Sequence, residues 1–146
     1  ISNKALSPAV NDPYTATQAV HHLSVVLCVL ARRQLGDWLC RDEHGTVRAA
    51  VPFPEFADYL RLGTEEVRRF GAKEPALARS LMQLLKDVGS SATSEDRRMA
   101  SARHIRLVLE DAKRETAQSA DLEILFAEGA AALRTLGADR PQSASG

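Results

Sequence analysis

The residues best suited to chemistry lie together near the start of this 146-residue chain. Asn11, Asp12 and Thr15 surround a proline, and His21 and His22 follow two helical turns later. Amide, carboxylate and hydroxyl oxygens can bind a cation or accept hydrogen bonds, and histidine can titrate near neutral pH. These five residues are therefore the candidate ligand-binding residues of the sequence.

The Asp12-Pro13 pair is also typical of a helix start. The Asp12 carboxylate can accept hydrogen bonds from first-turn amides, and Pro13 loses nothing by lacking its own N–H there. A bare helix start can bind an anion, but a carboxylate already fills that place. A cation or a hydrogen-bonding partner is the expected ligand if the turn is a site. A purely structural cap and a ligand site both remain open at this point.

The sequence predicts no metal site and no cofactor. Adjacent histidines point about 100° apart on a helix, so His21 and His22 are poorly placed to hold one ion. Neither belongs to a His-x-x-x-His or Glu-x-x-His pattern. The two cysteines, Cys28 and Cys40, have no metal-ligand spacing and no disulfide framework. We interpret them as reduced thiols, which favours a cytosolic setting.

No catalytic residue is predicted, because the sequence contains no Gly-rich phosphate loop, no Gly-x-Ser-x-Gly and no His-Glu-x-x-His. A catalytic site assembled from distant residues stays open. Nineteen basic and nineteen acidic residues give zero net charge, which argues against nucleic-acid binding. The most basic stretch, from Arg97 to Arg106 around His104, is nearly cancelled by acidic neighbours. We interpret it as a solvated, salt-bridged face, with a phosphate or nucleic-acid site as the alternative.

The periodicity of apolar residues predicts a mainly α protein: about five helices around a buried first helix, with one small β-hairpin near 38–51. The first helix, from Pro13 to about Gln34, is apolar nearly all round and must be buried by its neighbours or by another chain. A lone hairpin is marginal in water, so it should pack on the helices or extend a sheet elsewhere. Later helices are expected at 54–70, 75–89 and 95–119, then one that Asp121 caps and that ends near Gly137. Phe70 and Phe126 are expected on inner faces.

The length predicts a single helical domain over residues 1–137, with a lead-in turn at 1–12, a linker between helices at 90–93 and a disordered tail at 138–146. The longest apolar run, 23–31, is about half of the roughly 20 residues that cross a bilayer. We expect no direct membrane insertion by this fragment. Because the chain starts at Ile1 without a signal-peptide pattern, we interpret it as a piece of a longer protein.

The segment Ala5–Ala16 resembles the signature of the DUF2254 family of predicted bacterial membrane proteins. It reads Ala-Leu-Ser-Pro-Ala-Val-Asn-Asp-Pro-Tyr-Thr-Ala and departs from the usual form at Ala9, Val10 and Tyr14, where the family has glycine, isoleucine and phenylalanine. If the position of Ala9 needs a positive φ, alanine adopts it at a cost. Stretches at 51–54 and 69–72 also resemble the family, so the resemblance covers most of residues 1–90.

The resemblance implies that this chain is the C-terminal soluble part of a multi-pass membrane protein whose transmembrane helices lie upstream. The family supplies no activity, and Asn11 and Asp12 gain no role from it. We therefore predict a non-enzymatic, cytosolic assembly or partner-binding domain, which binds a second copy or the membrane portion of its own parent chain. Self-association should bury part of the Pro13–Gln34 helix. The alternative is a ligand- or ion-sensing domain, less readily an enzyme, with its site at the Asn11–Asp12 turn.

Overall fold

A computed structural model of the chain describes residues 13–138, and this range contains five helices and one β-hairpin. The helices are α1 (Pro13–Arg32), α2 (Phe56–Gly71), α3 (Pro75–Ser91), α4 (Glu95–Glu115) and α5 (Ser119–Thr135). The strands β1 (Trp38–Arg41) and β2 (Val47–Val51) lie between α1 and α2 and pair antiparallel. The prediction of a mainly α fold with one hairpin is confirmed. The expected lead-in turn at 1–12 lies outside the described residues.

Local capping explains where α2 and α4 begin. Ser94 precedes α4 in an extended conformation, and its hydroxyl accepts a 3.4 Å hydrogen bond from the Arg97 amide, as a capping serine does. At the start of α2, the Asp58 carboxylate accepts a 3.1 Å hydrogen bond from the Glu55 amide. Both contacts satisfy backbone groups that a helix start leaves without partners.

Several predicted boundaries are wrong by a few residues. α1 ends at Arg32 rather than Gln34, and α3 extends two residues into the expected linker at 90–93, ending at Ser91. α5 begins at Ser119, so Asp121 lies in its first turn instead of capping it. A carboxylate there still favours the helix, because it faces the positive end of the helix dipole. The residue expected to begin the disordered tail, Ala138, is buried.

The centre of the fold is α3, which packs against all four other helices. Its buried residues span a wide arc of the helix: Leu77, Ala78, Leu81, Met82, Leu84, Leu85, Val88 and Gly89. At Gly89 the neighbours come so close that a Cβ would lie 3.1 Å from the Cβ of Ser101 on α4. This close approach lets α4 cover one side of α3 while α1 and α2 cover the other side.

The expectation that α1 is the buried centre is therefore wrong. α1 packs on α3 and α2 with one side, which carries its buried residues Ala16, Val20, Leu27 and Ala31. No described element covers the opposite side, so α1 is an outer helix of the bundle with an apolar face turned away from it. Two aromatic residues expected on inner faces, Phe70 and Phe126, are also largely exposed.

The length and apolar composition of α1 also resemble those of a membrane-spanning helix. Over Tyr14–Arg32 it is long and apolar enough to cross a membrane, although the longest unbroken apolar run in the sequence is much shorter. Buried helices and signal sequences share this length and composition, so the property by itself does not assign α1 to a bilayer.

The hairpin stands apart from the helices. Every residue of β1 and β2 is exposed, and neither strand makes an extensive contact with a described helix. Its turn contains Gly45 with a φ of 80°, a conformation that glycine adopts without strain. The Asp42 carboxylate holds the turn by accepting hydrogen bonds from the amides of His44 and Thr46.

One arginine joins three helices at the end of the bundle. Arg97 of α4 donates from Nη1 to the carbonyl oxygens of Ala31 (3.1 Å) and Arg33 (2.7 Å) at the end of α1. Its guanidinium also lies over the ring of Phe56 at the start of α2, 5.5 Å from the ring centroid. Arg97 thus supplies donors to carbonyl groups that a helix end leaves unpaired.

We expect Arg97→Met to lower the free energy of unfolding by about 1.5–3 kcal/mol, the usual contribution of hydrogen bonds to a charged group. Methionine keeps much of the side-chain length but removes the donors. Urea denaturation followed by circular dichroism measures the change. Arg103→Met is the matched control, because Arg103 lies on the exposed side of the same helix. Equal losses in the two variants would contradict the role of Arg97.

Candidate interaction site

The outer side of α1 carries a group of exposed valines, here called the valine face: Val25, Val26 and Val29. Their exposed fractions are 66%, 55% and 48%. Residues at this spacing lie on one side of a helix. Since α1 is anchored to α3 by its other side, the valine face has a fixed place on the surface. Because contiguous apolar patches on protein surfaces are often interaction sites, the valine face is a candidate interaction surface.

A groove runs beside the valine face, between α1 and α3, with a volume of about 610 Å³. Its α1 wall includes Val25, Cys28 and Val29, and its α3 wall includes Gln83 and Asp87. His21, Ser24 and Arg32 also line the groove, which therefore offers apolar and polar contacts together. In the part of the chain that the structure describes, no group of three His, Cys, Asp or Glu side chains is placed to hold a metal.

The predicted site residues are not gathered into one pocket. Asn11 and Asp12 lie outside the described residues, so their turn is not placed. Thr15 is half-buried in the first turn of α1 and has an interaction partner. His21 and His22 are exposed further along the helix, and His21 lines the groove. Thr15 and His21 are about 9 Å apart along the axis, given the rise of an α-helix.

The only charged residue of α1 other than histidine is basic. Its sequence contains no Asp or Glu, whereas Arg32 ends the helix and Arg33 follows it. Arg32 Nη2 donates to the hydroxyl of Ser91 at 3.4 Å, which holds that end of α1 to α3. Any partner of the valine face must therefore tolerate positive charge at one end of the helix.

A polar cluster that the sequence did not reveal lies between α2 and α4. The Thr64 hydroxyl donates to the Leu60 carbonyl at 2.7 Å, and His104 Nδ1 lies 3.0 Å from the same hydroxyl oxygen. Because the single hydroxyl proton is used on Leu60, His104 Nδ1 must be the donor to Thr64. The prediction that His104 belongs to a solvated face is wrong, since this side chain lies half-buried between helices.

One helical turn beyond Thr64, an ion pair crosses the same interface. Arg68 Nη1 donates to Asp111 Oδ2, and Arg114 Nη2 donates to Asp111 Oδ1. The side chains of Arg68 and Asp111 are only 13% and 10% exposed. This arrangement holds α2 against α4, and the Asp111 carboxylate is hydrogen-bonded to both arginines. The sequence signal was the pairing of Thr64 with Arg68 four residues later, which places two polar residues near a buried stripe.

The basic stretch on α4 is also used inside the fold. Besides the contacts of Arg97, Arg106 Nη2 donates to the Ala138 carbonyl at 2.6 Å. Both arginines therefore bind backbone carbonyls of neighbouring segments. Among the described residues, this leaves Arg103 as an exposed arginine of the stretch. The arrangement favours a structural role for these arginines over a phosphate site.

The free energy of unfolding should depend on pH, because His104 is partly buried between the helices. Burial lowers the pKa of His104 below its ordinary value of 6.5, and the positive charges of Arg68 and Arg103 lower it further, against a smaller raising effect of Glu65. The unfolded chain therefore binds the proton first as the pH falls. We expect the free energy of unfolding to be highest above pH 6.5 and to decrease as the pH falls through 6.5 towards the folded-state pKa.

The measurement is urea denaturation at a series of pH values between 8 and about 5, a range that spans the ordinary histidine pKa. His104→Asn keeps an N–H donor towards Thr64 but cannot titrate, so its stability should depend less on pH. His44→Asn is the control, since His44 lies exposed in the hairpin turn. The same pH dependence in the His104→Asn variant and the unmodified chain would refute this assignment.

Removing the Asp111 carboxylate, which Arg68 and Arg114 share, should lower the free energy of unfolding. Asp111→Ala leaves Arg68 buried without its partner, and we expect a loss of about 3 kcal/mol in the free energy of unfolding. Arg69→Ala breaks an exposed pair with Glu65 (2.5 Å) and should cost less than about 1 kcal/mol. The double variant Arg68→Met/Asp111→Leu should regain stability over Asp111→Ala. Failure of the single variant to exceed the Arg69→Ala loss would count against the buried pair.

Comparisons with known proteins found a matching family and several similar proteins. Residues 1–87 match the family described as predicted membrane protein (DUF2254). Proteins named as uncharacterized from Mycobacterium bovis and from two strains of Mycobacterium tuberculosis are 45% identical to it over 141 residues. That alignment covers 97% of this chain and 27% of each relative, so the chain spans about a quarter of their length. No solved structure matches significantly.

The matched region contains the motif at 5–16, all of α1, the hairpin, α2 and most of α3. It thus includes both the valine face and the central helix of the bundle. Because the match extends over more than half of the residues, the chain belongs to the DUF2254 family of predicted membrane proteins.

Proposed function

We propose that this chain is a non-enzymatic, cytosolic assembly domain of a multi-pass membrane protein, and that the valine face of α1 binds a second copy. The observation that carries the proposal is the exposure of Val25, Val26 and Val29 on a helix held to the bundle by its other side. Membership in a family of predicted membrane proteins supports the part of the proposal that places this domain in a membrane protein.

The energetic argument starts from the cost of leaving these valines in water. Burying a fully exposed valine side chain contributes about 1.5–3 kcal/mol, and each of these valines, 48–66% exposed, can contribute a part of that on each of two copies. The adjoining groove lets part of a second helix sit beside Cys28 and Val29. Contact between two such faces would remove the apolar surface from water on both copies at once.

The charges on α1 favour an antiparallel contact between copies. When two α1 helices cross near Val25 and Val26 in opposite directions, Arg33 comes opposite Gln18 of the second copy. A parallel contact would place Arg32 and Arg33 beside the same arginines of the second copy, with no acidic residue on α1 to offset them. Both directions are compatible with an isologous two-fold dimer, so the charges decide between them.

Two further observations support the non-enzymatic and cytosolic parts of the proposal. The polar side chains between α2 and α4, including His104 and Asp111, are engaged in contacts between the helices. Cys28 and Cys40 are free thiols, which suits a reducing compartment. The alternative of a ligand-sensing site depends on Asn11 and Asp12, which lie outside the described range.

Self-association should depend on the valine face. We expect the purified chain to form dimers whose population rises with concentration, and Val25→Glu/Val29→Glu to remain monomeric, because association would bury two new carboxylates. Light scattering during size-exclusion chromatography measures the mass. Leu62→Glu is the control for a charge placed on an exposed apolar position, since Leu62 of α2 is 78% exposed.

A chain that stays monomeric at high concentration would contradict the proposal. So would equal loss of dimers in the Leu62→Glu variant. Flotation with phosphatidylcholine vesicles provides the remaining test. If the unmodified chain floats with the vesicles and the Val25→Glu/Val29→Glu variant does not, the valine face contacts lipid instead of a second copy.

A further inference from the structure

A second groove, here called the polar groove, crosses the surface of α3 between α1 and α5. Its floor carries Arg79, Gln83 and Lys86 of α3, which lie on one side of the helix, and its walls include His21 of α1 and Glu128 of α5. The volume is about 510 Å³, a size typical of small-molecule sites in proteins. The polar groups on its floor decide which kind of molecule it can bind.

Glu128 fixes the position of Arg79 in the polar groove. The two oxygens of this carboxylate accept hydrogen bonds from Arg79 Nε at 2.9 Å and from Arg79 Nη2 at 2.5 Å. A guanidinium has five N–H groups, and this contact uses two of them along one side of the plane. One N–H of Nη1 and the second N–H of Nη2 remain as a parallel pair. Arginine binds a phosphate or a carboxylate through two parallel N–H groups of this kind.

Lys86 adds a positive charge to the same groove. Its side chain is half-buried, and within residues 13–138 it has no hydrogen bond or ion pair. Both oxygens of Glu128 are bound to Arg79. Asp87 lines the neighbouring groove beside the valine face, where it accepts a 2.8 Å hydrogen bond from Gln83. The charged groups that remain available in the polar groove are therefore cationic.

We propose that the polar groove binds a small molecule with phosphate or carboxylate groups. Its oxygens accept two hydrogen bonds from the free N–H pair of Arg79 and form an ion pair with the Lys86 ammonium. These two residues are about 10 Å apart along the helix axis, so two long side chains and a small anion can bridge the distance. Hydrogen bonds between charged groups are stronger than those between neutral groups.

The same contacts argue against a metal cation in the polar groove, because the Glu128 carboxylate is already used by Arg79 through both oxygens. The proposed anion site does not depend on the contact between two copies of α1. It involves the outer side of α3 and is tested separately.

NMR titration of the isotope-labelled 146-residue chain tests the proposal. Pyrophosphate and succinate are the probes, since the first carries phosphate oxygens and the second carries carboxylates. The Nε–H resonance of Arg79 and the backbone amides of residues 79–87 report on the floor of the polar groove. We expect these resonances to shift together and to saturate with one dissociation constant for at least one probe.

Two variants separate the two contacts. Lys86→Gln removes the ammonium and should weaken binding of the probe about tenfold or more, because an ion-paired hydrogen bond is lost. Arg79→Lys keeps the charge but lacks the parallel N–H pair, so binding should weaken by a similar factor. Lys113→Gln is the matched control, since it removes the same charge from an exposed position of α4 outside the groove. Its affinity should change by less than about twofold, because solvent and salt screen a distant charge.

Helical circular dichroism like that of the unmodified chain shows that each variant is folded. Absence of saturable shifts with both probes overturns the proposal, and so does an unchanged affinity in Lys86→Gln. Equal weakening in Lys113→Gln, or shifts centred on the arginines of α4 instead of α3, overturns it as well. Those results would indicate that surface charge attracts the probes without a defined site.

Discussion

Burial of a wide arc of α3 is the packing constraint from which the arrangement of the other helices follows. Its leucines, among them Leu77, Leu81 and Leu85, leave almost no accessible surface in the folded protein. Four helices are needed to cover such an arc, and each contributes one apolar side. The remaining sides of those helices face outwards, which is why α1 can be strongly apolar in sequence and still lie at the surface.

Charged and polar groups fix how the covering helices meet. Arg97 joins the end of α1 to α2 and α4, and Asp111 holds Arg68 of α2 against α4. Such contacts add little net stability when compared with apolar packing, but leaving one partner unpaired is costly. They therefore favour one alignment of the helices over others. His104 adds a dependence on pH to the same interface, because its burial favours the neutral ring.

Two apolar surfaces stay uncovered by the described residues: the valine face of α1 and the apolar side of the hairpin. Both lie in the region that matches the DUF2254 family. The chain spans 27% of the length of its mycobacterial relatives. The contact proposed above assigns a second copy to the valine face.

The sequence by itself determined the helices, the hairpin and the family, because apolar periodicity, turn residues and the motif at 5–16 are local signals. Only the tertiary structure decided that α3 rather than α1 is central, since both are apolar and the choice depends on which neighbours pack against each. The contact of Thr64 with His104 joins residues forty positions apart, and no local pattern encodes such a pairing. Long-range packing thus decides which polar residues are buried and which apolar ones stay exposed.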